Sequence, residues 1–86
     1  MYLGAYHFDG DPDALLPAYQ RLMARFPVES LDAHICVVRD GGLTVFDGCP
    51  SREIHDEFAR SDAFLGAIDA AGLPRPRHEH VGRRAF

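Results

Sequence analysis

The sequence predicts an α+β fold in the order β-α-β-β-α-β, and three observations carry that expectation. Aromatic residues fall at even positions near the start (Tyr2, Tyr6, Phe8), the period of a strand. Two longer stretches repeat apolar residues at helical spacing. A tight Asp40-Gly41-Gly42 turn separates two runs of strand-forming residues. With 86 residues and 9.6 kDa, the chain has length for one core, so residues 1–86 are read as a single domain.

Each element has its own local reason. In Tyr2 to Phe8, Tyr2, Tyr6 and Phe8 point one way, and Leu3, Ala5 and His7 the other. Asp11 suits a helix N-cap and Pro12 the first helical position, where a missing N–H costs nothing. Leu15, Leu16, Tyr19, Leu22, Met23 and Phe26 then form an apolar stripe, tolerating Pro17 and stopping at Pro27. Ala33 to Arg39 and Leu43 to Asp47 read as a hairpin, with Ile35 and Val37 assigned to the helix-covered face and His34, Cys36 and Val38 to the open one. Ser51 caps a second helix whose buried stripe is Ile54, Phe58, Leu65 and Ile68, with a possible break at Ser61-Asp62. Gly72 and Pro74 end it, and Arg77 to Arg84 supplies a fourth strand.

Right-handed crossovers give a four-stranded antiparallel sheet in the order 4-1-3-2, with both helices on one face. The other face is left apolar and uncovered, which predicts a homodimer stacking two such faces. Along the whole chain, Tyr6-His7-Phe8, Ala33-His34-Ile35, Val45-Phe46-Asp47, Ser51-Arg52-Glu53 and Ala70-Ala71-Gly72-Leu73-Pro74 carry a likeness. The chain resembles the dimeric α+β-barrel (ferredoxin-like) superfamily, which includes antibiotic-biosynthesis-monooxygenase, EthD-like and stress-responsive A/B-barrel domains. That resemblance implies a homodimer and a cavity for a small molecule.

Composition narrows the partners. A net charge of -4, with no dense basic stretch, argues against nucleic acid. The chain has no apolar run of membrane-spanning length, so no membrane partner is expected. Cys36 and Cys49 are too far apart for a CxxC pair, and they suit a reduced, cytoplasmic protein.

Strands one and three are expected to run one way, and two and four the other. On that basis His7, His34, Asp47 and His78 share one sheet edge, with His55 nearby. His34, His7 and Asp47 are the candidate catalytic residues, because imidazole titrates near neutrality and a carboxylate fixes its tautomer. Tyr6, Cys36 and His78 are candidate substrate contacts. Half-exposed surface histidines are the plainer explanation of the same positions. His78-x-His80 with His7 opposite is a conceivable metal chelate, but two-residue spacing is common, and neither metal nor other cofactor is expected.

Three functions follow. The first is an acid–base enzyme, of the cyclase or isomerase kind, acting on a small aromatic or enolisable compound. The second is a cofactor-independent monooxygenase-like protein. The resemblance also brings in the haem-degrading version, whose active sites often use Asn and Trp, and the chain has neither. The third is a non-catalytic binding domain.

Overall fold

Tyr2–Asp9 forms β1, and the alternation of its side chains decides what each sheet face becomes. Tyr6 and Phe8 are buried in the main core, together with Leu43 and Val45 of the neighbouring strand. The computed structural model describes residues 1–26 and 28–86. Asp11 caps α1 (Pro12–Met23) by accepting from the Asp13 amide at 3.0 Å. The helix runs through Pro17 and buries Leu15, Ala18, Tyr19 and Leu22. It stops before Phe26, which still packs against the core; Pro27, the expected stop, lies outside the described residues. A short 3₁₀ turn, Val28–Ser30, leads on towards β2.

β2 (Ala33–Arg39) and β3 (Gly42–Cys49) form the expected hairpin. The break allowed at Ser61-Asp62 is present, so the second helical stretch is two helices, α2 (Arg52–Arg60) and α3 (Asp62–Ala71). Ser61 makes the break by closing one helix and opening the next. Its hydroxyl donates to the Phe58 carbonyl at 2.8 Å and accepts from the Phe64 amide at 3.1 Å. Gly72, left-handed at φ 82°, ends α3, and β4 (Arg77–Arg83) adds the fourth strand of the sheet.

Among the described residues the result is an α+β fold with an open four-stranded antiparallel sheet and three α-helices, an arrangement compatible with a ferredoxin-like fold. The strand order is β2-β3-β1-β4, which is 4-1-3-2 counted from the opposite edge. Strand direction differs from the expectation. β1 is antiparallel to β3, so β1 runs with β2, and β3 with β4. The physical reason is that the hairpin reverses β3 relative to β2, while the helical crossover returns the chain parallel to β1.

The faces of β2 are also the reverse of those expected. Cys36 pairs with Val45 and His34 with Asp47, which puts both on the helix-covered side. Ile35 and Val37 take the open side, where they are 59% and 40% exposed. Hydrophobicity alone favoured the opposite arrangement, but register with the buried Leu43 and Val45 decides it. Among the described residues, no helix is long and apolar enough to cross a membrane.

Ile68 lies at the centre of the core with no exposed surface. Ile68→Ala is expected to lower unfolding stability by about 2–5 kcal/mol. Urea denaturation will read this as a lower midpoint at unchanged slope.

Candidate functional site

The rows of the sheet place the polar side chains. One row on the helix-covered face runs His34, Asp47, Gly4, His80 across all four strands. The next row is Cys36, Val45, Tyr6, His78. Gly4 leaves a gap in the first row, and His55 of α2 descends into it. A Cβ at Gly4 would lie 1.9 Å from His55 Nε2. His55 is accordingly buried although it sits near the start of its helix.

On one side of this gap stands a hydrogen-bonded chain. Asp47 Oδ1 accepts from His34 Nδ1–H at 2.7 Å, and the Tyr19 hydroxyl donates to His34 Nε2 at 3.0 Å. A carboxylate can only accept, so this bond sets the proton on Nδ1 and leaves Nε2 as the base. The Tyr19 ring lies parallel to the imidazole, with centroids 6.0 Å apart. Burial pushes the Asp47 carboxyl above its ordinary range, and its bond to His34 opposes that rise. Burial, with the Asp47 charge adding, also raises the Tyr19 phenol, which therefore stays a neutral donor.

His34 and Asp47 open on a cavity of about 90 Å³. Its apolar wall is built from Leu22, Met23, Phe26, Phe58 and Phe64. A second cavity of about 210 Å³ shares Ser30, Leu31 and Phe58 with it and reaches Cys49, Ile54 and His55. Both lie on the helix-covered side of the sheet.

On the other side of the gap, His55, His78 and His80 meet. Their ring centroids are 4.4 Å (His55–His78), 4.9 Å (His78–His80) and 5.7 Å (His55–His80) apart. His55 Nε2 and His78 Nε2 are in direct contact. The Tyr2 hydroxyl donates to His80 Nδ1 at 2.6 Å, and His80 Nε2 donates to Asp56 at 3.0 Å. Burial, and then the neighbouring imidazoles, push His55 down to about 4. His78 is lowered by the same two causes.

The structure thus brings together two of the three candidate catalytic residues, His34 and Asp47. His7 does not join them. It lies on the opposite face and towards the other end of the sheet, donating to Glu79 at 2.7 Å and accepting from Thr44 at 2.9 Å. Its displacement follows from the true strand directions, which separate the end of β1 from the start of β2. For the same reason His78 is not beside His34, and its neighbours are Tyr6, His55 and His80. Tyr6 is core, packed on Phe64 and His78. Cys36 sits on the face of His34 and packs against the core, its thiol raised by burial and then by Asp47. Among the described residues lining the 90 Å³ cavity, none of Tyr6, Cys36 and His78 appears.

Sequence reasoning missed Tyr19 and the apolar wall, which it read only as core. It also missed that His55, rather than His7, joins His78 and His80. The helical stripe containing Tyr19 and the glycine at position 4 were the available signals. Comparison of the chain with protein-family models, curated proteins and solved structures returns no match. The chemistry of the site therefore follows from its own side chains.

The Gly4 gap is testable. Gly4→Ala must displace the buried His55 ring, and an expected destabilisation of about 1–3 kcal/mol follows from overpacking. In the Gly4→Ala/His55→Ala double variant the glycine substitution should cost far less. A double-mutant cycle by chemical denaturation measures that coupling.

Proposed function

We propose that the protein is a ferredoxin-like, dimeric α+β-barrel protein that binds a small, partly aromatic or anionic molecule beside His34 and Asp47. In this reading the pair performs acid–base chemistry on an enolisable or phenolic group. The observation that carries the reading is the Tyr19–His34–Asp47 chain opening on an apolar cavity. Apolar walls with a few convergent polar groups are the usual make-up of a small-molecule site. A ligand hydroxyl or acidic C–H would take the place of the Tyr19 hydroxyl at His34 Nε2. Asp47 would then stabilise the imidazolium formed when His34 accepts the proton. The raised Asp47 carboxyl also brings a second base nearer to neutral pH.

The test uses small phenols and aromatic carboxylates as probes, followed by NMR shifts of Leu22, Met23, Phe58 and Phe64 resonances. Binding of the phenols should weaken about three- to tenfold in His34→Ala, the loss expected for one neutral hydrogen bond. Asp47→Asn should leave probe binding largely intact and abolish any turnover. Full binding and activity in His34→Ala would remove the site from consideration.

Support for the dimer comes from the open sheet face, where Ile35 and Val37 stand exposed and Ile35 pairs with Phe46. Stacking two such faces would cover them. Two unpaired thiols, Cys36 and Cys49, suit a reducing cytoplasmic setting. Sedimentation at micromolar concentration should give a dimer that Ile35→Asp converts to a monomer. A wild-type monomer would count against the barrel and leave the single-chain cavity untouched.

A further inference from the structure

The three-histidine cluster is not used by the proposed acid–base chemistry, and its geometry has its own consequence. We propose that His55, His78 and His80 form a binding site for one divalent transition metal ion of the zinc class. One ring nitrogen from each residue lies within 4.8 Å of the others. A tetrahedral zinc site with bonds of about 2.0 Å needs nitrogens roughly 3.3 Å apart. The contact between His55 Nε2 and His78 Nε2 must open slightly and the third nitrogen close in, movements within the reach of side-chain rotation.

The ligand set selects the ion. Imidazole suits zinc, cobalt, nickel and copper, whereas magnesium and calcium prefer oxygen ligands. Three protein ligands leave a fourth position for water or substrate, the pattern of catalytic rather than structural zinc. An entry route exists because β4 is an edge strand, with His78 exposed, His80 half-buried and His55 buried.

Three features around the cluster support the assignment. Asp56 accepts from His80 Nε2, which turns the Nδ1 lone pair to the ion once the Tyr2 hydroxyl that now donates to it swings aside, the arrangement in which a carboxylate orients a metal-bound histidine. Gly4 makes room for His55 over the sheet, where any larger residue would exclude the ring. Finally, the Tyr6 ring packs on both His55 and His78, and its buried hydroxyl has no hydrogen-bond partner among the described residues. A buried hydroxyl without a partner is rare, and a bound water or ion is one way of satisfying it. This inference stands apart from the His34–Asp47 reading: either can fail without the other.

The experiment is a titration of the untagged, chelator-stripped full chain with Zn²⁺ by calorimetry and with Co²⁺ by visible absorption. One equivalent should bind per chain, with the strong absorption of a four-coordinate cobalt centre. Stoichiometric binding should be lost in His78→Gln and in His80→Gln. Asp56→Asn should weaken it roughly 10- to 100-fold, as removal of an outer carboxylate does. His55→Gln is the severest variant because its ring is buried. The His78 and His80 variants lie on an edge strand, and circular dichroism of each will show the fold intact. Absence of wild-type binding, or binding undiminished in the His78 and His80 variants, overturns the proposal.

Discussion

β1 is hydrogen-bonded along both edges, and its register with β3 and β4 places Asp47, Gly4 and His80 side by side beneath the helices. Side chains alternate along a strand, so a slip of one residue would send that row to the open face. The row holds because Tyr6 and Phe8, further along the same strand, are anchored in the core with Val45 and Leu43 opposite them. Apolar burial at one end of β1 thus fixes the polar positions at the other. The missing side chain at Gly4 then admits His55 from α2 and divides the row into two polar groups, one on each side.

The energetic setting makes these groups informative. A chain of 86 residues buries only a modest share of its surface, so its core has little stability to spare. Placing Asp47, His34, His55 and the Tyr6 hydroxyl under the helices costs desolvation that leucine or phenylalanine would avoid. Much of that cost is offset by specific bonds, such as Asp47 to His34 and Tyr19 to His34. The remote ion pairs differ. Asp9, held down to about 2 by its bonds to Arg77 and Arg39, lies exposed at the far end of the sheet and ties three strands together.

The elements were legible because their signals are local. Asp11 before Pro12, Ser51 before Arg52-Glu53, and the Ser61-Asp62 break each act on neighbouring backbone groups, and each operates in the structure as it reads in the chain. The site was legible in part. His34 and Asp47 meet because a hairpin forces their pairing, and a hairpin register can be counted from its turn. His7 was misplaced because its partners depend on strand direction, and Ile35 and Val37 because hydrophobicity does not say which face a helix covers. Tyr19 was invisible as a site residue, since a core tyrosine and a hydrogen-bonding tyrosine look the same in a helical stripe.

The sequence by itself determined the order of elements, their caps and turns, the four-stranded arrangement and a set of histidines without a shared location. Tertiary structure alone decided which of them meet. His34 joined Asp47 and Tyr19, His55 joined His78 and His80 over Gly4, and His7 went to the other face. The reason is physical. Caps and periodicity are set by residues a few positions apart, whereas a site is set by register between strands and by the face that long-range packing buries.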